Sequence, residues 1–405
     1  MIIAKRRASI ASMIFIVILM LVIALYWQSV SRLWIAVTLY DEDKIVDNFV
    51  TLYHTFESNR IPPADTPFTF PVARKPMPEF VPFQESELNI SSFLKESGTT
   101  GLLLIQDGEI RVEEYFQGHE ESKLHISWSM GKSFVSALIG IAIDEGYIKS
   151  IEQQITDYVP ELVGSAYDGV TIKHALQMSS GVRFNEDYGD FHSDINRFSR
   201  IIAFGNSLDE FTASLERERQ PGTYNHYVSI DTQALGMVLD RAISPKRLTD
   251  YLQEKLWHPL GMEYPAYWLK DKYDMELALG GLHVALRDYG KFGWLYLNKG
   301  SWQGQQLVPA EWIAESITPD GQHTLPGVNA YSSNREGYGY QWWLPEGAED
   351  EFLARGIYHQ FIYIDPDKRI VIVKNSANHR FTQRGHNWNA KHMALFRGLV
   401  QHFSH

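Results

Sequence analysis

The chain has 405 residues, 44% of them hydrophobic and 21% charged, which supplies a large core and excludes a disordered polypeptide. Its 37 Lys and Arg stand against 49 Asp and Glu, a formal charge of -12, which argues against a nucleic-acid partner. It contains no cysteine, so disulfides, thiolate nucleophiles and Cys-ligated zinc are excluded.

Lys5-Arg6-Arg7 precede an uncharged run from Ala8 to Ser31 that is almost wholly apolar between Met13 and Trp27. A run of this length can cross ~30 Å of hydrocarbon. Basic residues before it predict a cytoplasmic N-terminus and an exported body. A cleaved signal peptide would have a shorter apolar region ending in small residues, whereas this run ends in Tyr26-Trp27-Gln28. The expectation is a membrane anchor over residues 1–40, with a single transmembrane helix at about 8–30. The chain would then sit in the inner (cytoplasmic) membrane with its body on the periplasmic side. Leu33 to Val37 would lie along the membrane surface. Residues 41–85 carry a proline-bearing stretch from Ile61-Pro62-Pro63 to Pro82, which forbids helix and reads as a linker. The alternative is that it packs on the body, residues 86–405.

Within that body, Asp107-Gly108 between two apolar runs signals a β-hairpin over Leu102 to Val112. The next segment, from Ser133 to Ile143, is apolar on nearly every side and predicts a buried helix. Ser129 and Lys132 stand at its start, three positions apart and therefore on one helix face. Burial lowers an amine's pKa, and a neutral amine can take the serine's proton. The competing interpretation is a helix cap with a lysine reaching past it. Gly131-Lys132-Ser133 is not a phosphate-binding loop, because Ile126 stands where that motif needs glycine. Ser127 likewise rules out a Gly-x-Ser-x-Gly elbow.

Pro221-Gly222 makes a turn ahead of a helix starting near Asp231, which leaves Tyr227 and Ser229 on the intervening loop. Near the C-terminus, Phe361 to Ile364 and Ile370 to Val373 read as two strands joined by Asp365-Pro366-Asp367. Strands at both ends with helices between predict an α+β fold. Its antiparallel sheet would be built from N- and C-terminal strands, flanked by helices, with an inserted helical subdomain. The histidines show no ligand spacing, so neither a metal nor another cofactor is expected.

Three motifs in order resemble those of the serine-reactive β-lactamase-like superfamily, in particular the class C β-lactamase-related esterases and amidases of the 6-aminohexanoate-dimer hydrolase type. They are Ser129-Met130-Gly131-Lys132-Ser133-Phe134, then Tyr227-Val228-Ser229 in its Pro-Gly frame, then Ala354-Arg355-Gly356-Ile357-Tyr358-His359-Gln360. Thr171 to Val182, Glu186-Asp187-Tyr188, Gly280-Gly281-Leu282 and Gly337 to Trp343 agree as framework. The resemblance implies a β-lactamase/transpeptidase-like fold and an acyl-enzyme on Ser129, with Lys132 and Tyr227 as the proton-transfer pair. Which of the two is the base stays open, because coupled groups share a titration. It further implies an oxyanion hole from the backbone N–H groups of Ser129 and Ile357. Substrate-facing candidates are Ser229, Tyr188, Tyr340, Trp342, Arg355, Gly356 and His359. Arg355 and His359 depart from the family pattern: Arg355 either pairs a substrate carboxylate or is solvent-exposed, and His359 either narrows the cleft or only packs. The missing Lys-Thr-Gly argues against β-lactam hydrolysis. The resulting expectation is a membrane-anchored serine hydrolase of esters or small amides that takes a small-molecule or peptide substrate. The alternatives are a D-amino-acid-specific peptidase or carboxypeptidase on cell-wall peptides, and a non-catalytic member that binds peptidoglycan or a partner.

Overall fold

A computed structural model describes residues 13–18, 20, 27–383 and 385–404. Two helices, α1 (Trp27–Thr38) and α2 (Ile45–Thr55), lead into strand β1 (Ser58–Ile61). The Asp107-Gly108 turn then joins β2 (Thr99–Gln106) to β3 (Glu109–Tyr115), with Asp107 at φ +52° and Gly108 at +79°, as a tight hairpin requires. Strand β4 (Leu124–Ile126) precedes the buried helix α3 (Gly131–Asp144), and α4 (Ile230–Ala242) packs on α3 within the helical region. Strands β5 (Ala266–Leu269) and β6 (Leu282–Ala285) are followed by α5 (Leu286–Leu297). The chain closes with β7 (Gly337–Tyr338), β8 (Trp343–Leu344), β9 (Phe352–Gly356), β10 (Gln360–Asp365), β11 (Ile370–Ser376) and α6 (Trp388–Phe403).

The main sheet has seven strands in the order β7-β8-β9-β10-β11-β2-β3, all paired antiparallel. The two chain ends meet where Val373 pairs with Leu103. Every residue of β2 is buried, because helices cover both faces. Leu103 and Ile105 share one core with Phe292 of α5, while Leu102 and Leu104 share another with Phe396 and Leu399 of α6. This is the α+β architecture the sequence predicts. A smaller sheet, in the order β1-β5-β6-β4, carries the chain into α3.

Residues 41–85 are not a free linker. Phe49 of α2 is fully buried, β1 pairs with β5, and Phe70 meets Trp302 edge-on at 6.1 Å. The prolines keep the strand extended, but apolar residues between them bury it against the body. Of the transmembrane helix expected at about 8–30, residues 8–12, 19 and 21–26 lie outside the described residues. Among the described residues no helix is long and apolar enough to cross a membrane.

Candidate active site

Ser129 lies on a single helical turn, Trp128–Met130, between β4 and α3. Ser127 N–H donates to the Leu282 carbonyl at 2.7 Å, which ties the end of β4 to β6. The next residue, Trp128, has φ +44°, a left-handed conformation that costs a bulky residue ~1–3 kcal/mol unless its surroundings hold it. Phe49 holds the indole edge-on at 5.3 Å and Tyr40 lies at 6.3 Å. Gly280 approaches from below: a Cβ there would come within 3.0 Å of the Trp128 carbonyl carbon. The turn therefore presents Ser129, which is 9% exposed, at the floor of a cleft of about 380 Å³.

Lys132 is 1% exposed, and its Nζ donates to the Leu279 carbonyl at 2.9 Å. Burial pulls its pKa down to about 7, against the opposing pull of Glu186 and Asp231. The ammonium loses hydration that two carboxylates only partly restore. Asp231, fully buried, is itself pushed up to about 7 by desolvation, although Ser180 and the Tyr167 hydroxyl favour its charged form. That hydroxyl donates to Oδ1 at 2.9 Å.

Tyr227 is half-buried, with its ring centroid 5.6 Å from the Lys132 Nζ. Its ring stacks on Trp343 at 5.1 Å. Burial and the Glu186 charge raise its pKa, while the Ser129 hydroxyl, Arg355 and the Ser229 hydroxyl work in the opposite direction. The phenol therefore stays protonated and can pass a proton rather than hold a negative charge. Ser229 is buried and donates through both its N–H and Oγ to Glu186, with the N–H at 2.9 Å. Tyr188 also donates to Glu186, at 2.6 Å, so this carboxylate is fixed on the cleft wall.

The third motif lies beside the serine. A Cβ on Gly356 would sit 2.6 Å from the Ser127 carbonyl oxygen, so only glycine lets β9 pass this close. The following turn carries Tyr358 at φ +60° and His359 at +72°. The Gln360 amide holds it, donating to the carbonyls of Ile357 at 3.3 Å, Tyr358 at 3.2 Å and Ser376. Ser129 and Ile357 thereby border one cleft.

Ser129, Tyr227, Tyr188, Arg355, Gly356, Ile357 and His359 all border this cleft, whereas Ser229 lies behind it on Glu186. His359 is 2% exposed between Trp388 at 4.9 Å and Phe381 at 5.4 Å, and burial drives its pKa well down. It is a packed neutral ring at the cleft edge. Tyr340 and Trp342 are placed elsewhere. Trp342 is fully buried against Tyr296 at 4.4 Å and Phe352 at 5.2 Å, and Tyr340 packs on Trp312 at 5.2 Å. Both are core residues, and the neighbouring Trp343 walls the cleft instead. Arg355 is neither solvent-exposed nor free: it pairs with Glu336 at 2.7 Å. Glu336 was not singled out in the sequence, where its only local signal is an acid preceding Gly337-Tyr338. Among the described residues no group of His, Asp or Glu is disposed to hold a metal ion.

Residues 89–393 match the Beta-lactamase family model. The 6-aminohexanoate-dimer hydrolase of Paenarthrobacter ureafaciens is 29% identical over 292 residues, covering 70% of this chain and 74% of that protein. A Bacillus anthracis structure provisionally assigned as a 6-aminohexanoate-dimer hydrolase superposes with a TM-score of 0.81 at 22% identity, covering 90% of this chain and 96% of its own. A class C beta-lactamase superposes with a TM-score of 0.53 at 17% identity over 76% of this chain and 93% of its own. The two structural likenesses carry the fold, and the family match spans most of the chain. This protein belongs to the beta-lactamase family and is a serine hydrolase.

Proposed function

We propose that this protein cleaves esters or small linear amides through an acyl-enzyme on Ser129, and that it works at a membrane surface. The observation that carries the chemistry is the buried Lys132 amine, with a pKa drawn down to about 7, one helical turn from Ser129 and beside Tyr227. At neutral pH a large fraction of this amine is neutral, as a proton acceptor requires. Ser129 Oγ attacks the carbonyl carbon and its proton passes to the Lys132–Tyr227 pair. The N–H groups of Ser129 and Ile357 then carry the oxyanion, and donors of this kind are worth ~3–4 kcal/mol each. Collapse of the intermediate breaks the bond to the alkoxide or amine, which leaves with the proton from the pair. Water, deprotonated by the same pair, releases the acid and restores Ser129. The name of the Paenarthrobacter relative supports a linear amide as one substrate class.

Membrane retention rests on residues 8–30, and the anchor is proposed to place residues 41–405 on the extracytoplasmic side. Among the described residues of that run, Met13 to Ile18 and Met20 are all exposed apolar side chains. The reading is tested with a fluorophosphonate on wild type and Ser129→Ala. One covalent adduct by intact mass, absent from the variant, is expected. No adduct on folded wild-type protein would make the fold a binding module.

A further inference from the structure

Arg355 lies on β9 immediately before Gly356, at the wall of the cleft that holds Ser129. Its guanidinium meets Glu336 in a bidentate pair, Nη1 to Oε1 at 3.0 Å and Nη2 to Oε2 at 2.7 Å. Paired this way, the Glu336 carboxylate neutralises the guanidinium charge and occupies its Nη1–Nη2 edge. The two side chains are only 18% and 19% exposed, so water screens the pair weakly. The guanidinium carbon also lies 4.0 Å over the Trp343 ring, whose indole stacks on Tyr227. Arg355 is thus clamped by a carboxylate and an aromatic face at the substrate's edge.

Among the side chains that line the cleft, the other charged group is an acid. That acid is Glu186, while His226 and His359 are held neutral at pH 7 by burial. A substrate carboxylate entering here meets a fixed anion and an arginine whose charge Glu336 already neutralises. Recognising it would require Glu336 to give up the pair.

We infer that Glu336 is a specificity-determining residue: by occupying Arg355 it makes the cleft accept neutral or cationic substrates and reject those with a carboxylate near the scissile bond. The inference rests on the hydrolase reading, and its test separates the two. The full chain, Glu336→Gln and the double variant Glu336→Gln/Arg355→Gln are assayed on p-nitrophenyl butyrate and on mono-p-nitrophenyl succinate. The kcat/KM ratio of anionic to neutral ester is expected to rise about tenfold in Glu336→Gln, the size of one added charge-assisted hydrogen bond. It should fall back in the double variant. An unchanged ratio in folded Glu336→Gln overturns the inference. If Glu336→Gln does not fold, Glu336→Asp retracts the carboxylate by one methylene and should raise the ratio about threefold, and no rise overturns it. If wild type hydrolyses neither ester, the ester part of the proposed function fails, and calorimetry with hexanoate and hexanamide decides the inference instead. Hexanoate binding gained on Glu336→Gln supports the inference, and equal affinity of wild type for the two ligands overturns it.

Discussion

Lys132 has two carboxylates within electrostatic reach and almost no water, and those two influences set its proton affinity against each other. Desolvation is the larger, so the amine loses its proton near pH 7 instead of near 10.5. If this amine is the proton acceptor, only its neutral form is active, and kcat/KM rises as pH passes upward through about 7. Glu186 and Asp231 favour the ammonium, so removing one of their charges must lower the pKa and move the rising limb to more acid pH. For Glu186→Gln we expect a shift of up to about one pH unit, measured as the kcat/KM profile on a neutral ester. A limb that stays in place would locate the base elsewhere. Ser129 and Lys132 were legible in the sequence because three-residue spacing on an apolar helix fixes their proximity. Glu186 stood out only within the Glu186-Asp187-Tyr188 framework, without a role, and Glu336 was not singled out, since nothing local marks which acid the fold returns to the cleft. The adjacent Trp342 and Trp343 show a second limit. Trp342 precedes β8 and Trp343 opens it, and composition alone could not tell the wall residue, Trp343, from the core residue, Trp342.

Helix α2 shows how an element that reads as spacer serves the site. Its Phe49 packs on Trp128 and also on Tyr358 at 5.3 Å, while Tyr40, just before α2, stacks on Tyr358 at 4.6 Å. Trp128 precedes the nucleophile and Tyr358 follows Ile357, so one aromatic cluster braces both backbone segments offered as oxyanion donors. Both segments also adopt left-handed backbone conformations, at Trp128 and at Tyr358–His359, which persist only while neighbours hold them. Phe49→Ala removes the shared contact. We expect a stability loss of about 3–5 kcal/mol by denaturant titration, together with a fall in kcat that exceeds any change in KM. Removing residues 1–26 should cost neither, whereas removing residues 1–56 should abolish activity. Equal activity of the two truncated chains would show that the cluster does not position the site. The main hairpins were legible from turn chemistry and alternation, as at Asp107-Gly108. The docking of α2 was not, because residues 41–85 read as one linker from prolines that begin only at Pro62, beyond α2.

At the scale of the whole molecule, the body is acidic and the N-terminal segment is apolar, and only the second can hold a bilayer. A formal charge of -12 is repelled by anionic lipid, and that repulsion fades within a Debye length. Helix α1 offers a different interaction. Trp27, Val30, Trp34 and Val37 recur at three- and four-residue spacing, are 50–70% exposed, and so form one apolar stripe. The other side is fastened to the body: Arg32 donates to the Thr55 carbonyl at 3.2 Å and pairs with Glu57 at 2.7 Å. A stripe fixed in this way resembles an interfacial helix, one that overlaps the end of the apolar run of residues 8–30 at Trp27 and Val30. We expect the full chain to float with zwitterionic phosphatidylcholine vesicles and to remain bound in 1 M salt, since apolar insertion is not screened. The chain beginning at Trp27 should float more weakly, and Trp34→Glu in that shorter chain should release it, with turnover of a soluble ester equal in both. Release of the full chain by salt would make the attachment electrostatic. A full chain that stays with the soluble fraction would remove the membrane from the proposed function and leave the hydrolase chemistry standing.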